Sequence, residues 1–209
     1  MKEIAKILLK IKAVSLSPND PYTWASGIKS PIYCDNRLIL SYPEEREIVE
    51  NAFVDLIKNK FPDAEYIMGT ATAGISHAAI IAQKMKLPMG YVRSKGKDHG
   101  KKNQIEGKIL KGAKTVLIED LFSTGGSSID AGKALKEEDF DLLGIVSVFT
   151  YNLQEGLDNF KNSNFSHYSL TGLDELLDLA KESGEIDSKE YAKLLKFREN
   201  PKDESWIND

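Results

Sequence analysis

The chain has a single cysteine, Cys34, which excludes an internal disulfide and any cysteine-built zinc site. One free thiol suits a reducing compartment, and a cytoplasmic location is the expectation. No apolar run is long enough to span a bilayer. The opening MKEIAKILLKIKAV could pass for a signal peptide, but Lys6, Lys10 and Lys12 break up its apolar residues. Ile4, Ile7, Leu8 and Ile11 instead mark one face of an amphipathic helix. Positive charge is not in excess either: 28 Lys and Arg face 32 Asp and Glu, a net charge of -4. That balance argues against a general nucleic-acid binder and makes any basic patch local. Internal repeats and low-complexity linkers are missing. So are the GK[ST] of a Walker loop and the GxGxxG of a dinucleotide fold.

What remains is a soluble α/β pattern. With 209 residues the chain reads as a single domain over 1–209. Residues of about 41–170 form its core, and about 1–40 plus C-terminal elements form a hood. The stretch PYTWASGIKSPIYCDNR, Pro21 to Arg37, predicts turns and short strands. Ser41-Tyr42-Pro43-Glu44 predicts a capping box with an early proline. It opens a helix with Ile48, Val49, Ala52, Phe53, Leu56 and Ile57 as its core face. Strands then alternate with helices: strand Tyr66–Gly69, helix Ile75–Met85, strands Pro88–Val92 and Thr115–Ile118, helix Ile129–Leu135, strand Leu142–Phe149, strand Phe165–Ser169. Such alternation predicts a mainly parallel sheet flanked by helices. Leu173 to Asp209 reads as two short charged helices and a tail. Open sheets of this kind bind ligands beyond the carboxyl ends of their strands.

Three loops stand at such ends. GTATAG, Gly69 to Gly74, fits an anion at a helix start, and fits a plain tight turn equally well. RSKGKDHGKKNQIEG begins at Arg93 and carries Lys95, Lys97, Lys101 and Lys102 around His99. Dense basic charge in a net acidic chain suits an anionic ligand, and glycines at 96, 100 and 107 allow a mobile lid. The third stretch is VLIEDLFSTGGSS, Val116 to Ser128. Hydroxyls and glycines at a helix start make a phosphate cradle. Glu119 and Asp120 beside it would repel phosphate unless they grip something neutral or cationic. A ribose diol fits, and so does magnesium. The ligand read from these residues is a ribose 5-phosphate with further negative charge, such as a diphosphate, under the basic loop.

VLIEDLFSTGG resembles the signature for 5-phosphoribosyl 1-diphosphate (PRPP) in the type I phosphoribosyltransferases. YVRSKGKDHG resembles the catalytic loop of the orotate-using branch of that family. ASGIKSPIYCDNR resembles its N-terminal hood motif. The resemblance covers about residues 20 to 170. It implies the type I phosphoribosyltransferase fold and transfer of the phosphoribosyl group to orotate with Mg²⁺, in pyrimidine synthesis. Carried over by position, it implies PRPP binding by Arg93, Lys97, His99, Glu119, Asp120, Leu121, Phe122, Ser123, Thr124, Gly125, Gly126 and Ser127. Asp120, Lys97, His99 and Arg93 become the catalytic set, Ser123 also lies near orotate, and Gly69 to Gly74 meet the diphosphate. A non-proline cis peptide is expected near Ala71 and Thr72. The magnesium ion would be held mainly through PRPP, not by a protein site. The family also implies a homodimer whose basic loop serves the neighbour's site. Some relatives have lysine where this chain has Ala25, Ala73 and Ser94, and an arginine in the region that here reads TYNLQEG, Thr150 to Gly156. Lys29, Lys95 and Arg37 are the cations left to replace them. His77 and His167 read as structural, and Cys34 as a packed side chain. Trp24 and Tyr33 could line the base site or form a cap. The rival readings are a transferase for another base and a non-catalytic PRPP sensor.

Overall fold

A computed structural model describes residues 2–24, 26–94 and 104–208. The first helix, α1 (Lys2–Lys10), buries Ile4, Ala5, Ile7 and Leu8, the face its spacing predicts. Four short strands follow: β1 (Val14–Leu16), β2 (Tyr22–Thr23), β3 (Lys29–Ser30) and β4 (Ile32–Cys34). β1 pairs antiparallel with β4, and β2 with β3. These two ribbons fall in the segment that, with C-terminal elements, the sequence assigns to the hood.

A 3₁₀ helix (Asn36–Ser41) leads into α2 (Pro43–Lys60). The expected capping box does not form. Proline forces the residue before it into an extended conformation, so Tyr42 (φ -115°, ψ 92°) becomes the N-cap and Ser41 stands one residue too early. The predicted core face is also rotated. Val49, Phe53 and Ile57 are buried as expected, but Ile48 is exposed while Glu50 and Val54 are buried. The cause is a polar contact: Glu50 reaches into the core to meet His77.

The main sheet contains β5 (Tyr66–Thr70), β6 (Met89–Val92), β7 (Ile105–Glu106), β8 (Lys114–Phe122), β9 (Asp141–Thr150) and β10 (His167–Gly172). Its order is β10-β9-β8-β5-β6-β7. Every neighbouring pair is parallel except β6 and β7, as the alternating pattern predicts. α3 (Ala73–Met85), α4 (Gly126–Glu137) and α5 (Gln154–Ser163) are its crossover helices. α6 (Leu173–Glu182) and α7 (Ser188–Glu199) follow, with a short 3₁₀ turn (Ser205–Asn208). Two apolar layers cover the sheet. One gathers α1, α2, α3, α6 and α7 around Ile67, Val116, Ile118 and Val148. The other sets α4 and Phe160 of α5 on Leu117, Phe122 and Ile145. Both layers leave the carboxyl ends of β5 and β8 open at one rim, and there the candidate residues meet.

Candidate active site

β8 runs further than its apolar core predicts, through Phe122. Glu119 and Asp120 therefore lie within the strand, near its end, and both line one cavity. Glu119 is 7% exposed. One of its oxygens accepts from the Asp120 amide (3.0 Å) and the other from the Ser128 hydroxyl (3.2 Å). Burial, followed by the neighbouring Asp120 carboxylate, pushes the Glu119 carboxyl up to about 8. The fold thus favours the neutral form of Glu119 over the charged form that the sequence alone suggests. A neutral carboxyl can both donate to and accept from a hydroxyl, which suits a sugar diol.

After Phe122 the chain turns into α4. Gly125 is its N-cap, at φ +76°. A Cβ there would sit 2.7 Å from the Phe160 ring, so both backbone and space call for glycine. No side chain caps this helix. Its first N–H groups are left for an anion, assisted by the helix dipole. Asn159 fixes the loop from behind by donating to the Thr124 carbonyl (2.9 Å). The Phe122 ring is buried against Phe160 (4.8 Å between centroids). Leu121 likewise packs against the core.

The GTATAG segment lies beside Glu119. Its Ala71–Thr72 peptide is cis, where the family resemblance places it. Thr70 donates to the Ile118 carbonyl (3.2 Å), and the Ala71 amide donates to Val92 (2.8 Å). Gly74 has a packing role that composition does not reveal: a Cβ on it would collide with the Ile118 carbonyl oxygen, so α3 rests directly on β8. A cavity of about 360 Å³ opens here, lined by Thr70 to Ala73, Arg93, Glu119, Asp120 and Ser127. The Arg93 guanidinium is 3.5 Å from Glu106. Lys95, Lys97 and His99 lie outside the described residues.

A second cavity, of about 410 Å³, sits between the N-terminal ribbons and the loop from β8 to α4. Trp24, Ser26 and Ile28 face Ser123, Thr124 and Leu153 across it. Trp24 therefore lines a cavity, while Tyr33 is 46% exposed. The N-terminal ribbons are tied to β8 by Asn36, whose amide donates to the Asp120 carbonyl (2.7 Å). Its only signal in the sequence is a small amide inside CDNR. The spare hood cations are engaged: Arg37 is bidentate on Asp35 (2.6 and 2.9 Å), and Lys29 donates to Thr23 (2.7 Å).

His77 is structural, as expected. It is buried against Glu50 with a 2.6 Å contact. His167 stacks on Phe160 (4.1 Å), and burial lowers its pKa. Cys34 is partly buried, and burial pushes its thiol well above the usual range. Among the described residues, no group of three or more His, Cys, Asp and Glu side chains could hold a metal, and no helix is long and apolar enough to cross a membrane.

Residues 39–168 match the family model of the phosphoribosyl transferase domain. The chain is 56% identical over 199 residues to an orotate phosphoribosyltransferase of Staphylococcus saprophyticus, covering 95% of this chain and 98% of that protein. Among solved structures it is similar to UMP synthase of Leishmania donovani (TM-score 0.78, 28% identity, 94% of this chain and 42% of that one). It shares its fold with orotate phosphoribosyltransferase of Aeropyrum pernix (TM-score 0.77, 23% identity, 88% and 99%). A paired-acid strand end, an uncapped glycine-started helix and a cis-peptide loop around one cavity agree with these likenesses, and the chain belongs to the orotate phosphoribosyltransferase family of enzymes.

Proposed function

We propose that this site transfers the 5-phosphoribosyl group of PRPP to orotate, giving orotidine 5′-monophosphate and diphosphate, in a reducing cytoplasm. The observation that carries the reading is the Glu119–Asp120 pair in one cavity with Thr70 to Ala73 and Arg93, beside the uncapped start of α4. Ser123, Thr124, Gly125, Gly126 and Ser127 hold the 5-phosphate through hydroxyls and main-chain N–H groups. Glu119 and Asp120 take the ribose hydroxyls. Thr70 to Ala73 and Arg93 face the diphosphate. Ser123 lies at the junction with the hood and meets orotate.

In the reaction, a ring nitrogen of orotate bonds to the anomeric carbon and gives up its proton to the leaving diphosphate, while the bond to the diphosphate oxygen breaks. The electron pair leaves with the diphosphate. Positive charge grows on the ribose and negative charge on the leaving group. Asp120 favours the first and Arg93 the second. Magnesium would fit this donor set as an ion carried mainly by PRPP, with Asp120 the protein carboxylate that would face it. When bound, it neutralises diphosphate charge. We assign Lys97 and His99 to the diphosphate of the neighbouring subunit in a homodimer. The whole chain then acts as a single phosphoribosyltransferase domain, with the hood shielding the reacting carbon from water.

The test is turnover. The protein is incubated with Mg²⁺, PRPP and each base in turn, and loss of orotate absorbance is followed. Orotate consumption that depends on PRPP supports the reading. Turnover of a purine without orotate would assign another base. PRPP binding with no turnover of any base would assign a sensor.

A further inference from the structure

The matched domain, residues 39–168, stops short of both chain ends. The structure joins those ends to each other. The hood's strands are two or three residues long, too short to hold a fixed shape in isolation. Something else must set the position of Trp24, whose ring lines the cavity facing Ser123 and Thr124.

The C-terminal segment does so. The Trp24 ring meets Phe197 of α7 edge-on (5.6 Å, 86°) and Tyr151 at the end of β9 (5.3 Å). Phe197 in turn meets Trp206 (5.8 Å, 75°). Phe197, Trp206 and Tyr151 are all nearly or fully buried, so the row of rings has little room to shift. Polar links run beside it. Asn19 of the hood donates to Glu190 (2.8 Å) and accepts from Lys193 (3.3 Å). Lys193 also donates to the Ile207 carbonyl (3.2 Å), which pins the last turn to α7. Glu199 to Lys202 then complete the wall of the cavity.

We propose that α7 and the turn after it are a positioning device for the acceptor base: Phe197 and Trp206 set Trp24, and Trp24 shapes the hood side of the site. The inference rests on the orotate reading above. Its physical basis is a division of labour. The donor side is built from strand ends and helix starts of the six-stranded sheet, and of its residues only Ser123 and Thr124 share a cavity with the C-terminal segment. The hood side is built from short ribbons, which need that segment. Loosening the row should therefore weaken acceptor binding and leave donor binding alone.

The experiment is steady-state kinetics with each substrate varied, on Phe197→Leu, Trp206→Leu and Trp206→Phe. Phe197→Leu and Trp206→Leu should raise KM for orotate about three- to tenfold, the range expected for one aromatic pair, with KM for PRPP within about twofold. Trp206→Phe keeps a ring and should lie between them and the unmodified protein. It also leaves Trp24 as the only indole, since the chain has two tryptophans, and orotate should then quench its fluorescence. Asn19→Ala unties the hood from Glu190 and Lys193 without touching the core. It gives the same split in KM if a core variant fails to fold. A rise in both KM values together would mean general loosening and would overturn the proposal, as would no change in either or an unquenched Trp24. Failure of the unmodified protein to turn over orotate is a different result, and it sinks the acceptor reading itself.

Discussion

Glu119→Gln should change how the stability of the free protein depends on pH. The Glu119 carboxyl has an ordinary value of 4.5 and is pushed up to about 8 in the fold, first by burial and then by Asp120. Between those values the folded chain holds a proton that the unfolded chain has released. Its contribution to stability is therefore fully present below about 4.5 and is lost as pH rises through about 8. At about 1.36 kcal/mol per pKa unit, that gap corresponds to at most about 5 kcal/mol. Water entry and relaxation around Asp120 reduce it, so the expected swing is on the order of 2–3 kcal/mol. Glutamine has the same shape and does not titrate. Its oxygen can accept from the Asp120 amide while its NH₂ donates to Ser128. The assay is urea unfolding without ligand from pH 5 to pH 8, for both proteins. The variant should gain on the unmodified protein steadily across that range. A difference that stays flat within about 0.5 kcal/mol would show that Glu119 is already ionised in the fold, and the account of the acid pair would fall.

Asp120→Asn should keep the fold and lower kcat by a factor equivalent to about 2–4 kcal/mol, with a smaller loss for Glu119→Gln. Near-normal turnover in both would remove the pair from the reaction. Gly74→Ala should destabilise the protein by roughly 2–4 kcal/mol, because its Cβ meets a strand carbonyl that cannot move aside. An unchanged unfolding midpoint would show that α3 can lift from β8. Mixing inactive Asp120→Asn and Lys97→Ala chains should restore about a quarter of full activity if the site is shared across a two-fold dimer. Subunit exchange confirmed by mass tagging, with no activity recovered, would place Lys97 in its own subunit's site.

Much of the site was legible because its signals are local. An apolar strand, two acids and a glycine-rich helix start occupy thirteen consecutive residues, Val116 to Ser128. Strand and helix existence followed from apolar periodicity, which needs no partner to be read. The misreadings have one local cause and one distant one. The Ser41 cap failed because Pro43 moved the helix start by one position. The α2 face turned because Glu50 has a buried partner 27 residues away. The Asp187–Glu190 capping box of α7 was spelled out locally, and only the helix it opens was anticipated.

Sequence by itself therefore determined the parallel α/β core, the glycine-started helix after β8 and the acid pair at that strand's end. Each depends on neighbours within a turn or a strand. Tertiary structure decided three further things. Burial between β5 and β9 set the charge on Glu119. Asn36 joined the hood to Asp120 across 84 residues. The Trp206–Phe197–Trp24 row brought the two chain ends together beside the cavity that Trp24 and Ser123 line. None of these leaves a periodic or spacing signal. Desolvation, a single side-chain hydrogen bond and ring packing arise only when segments far apart in the chain come into contact.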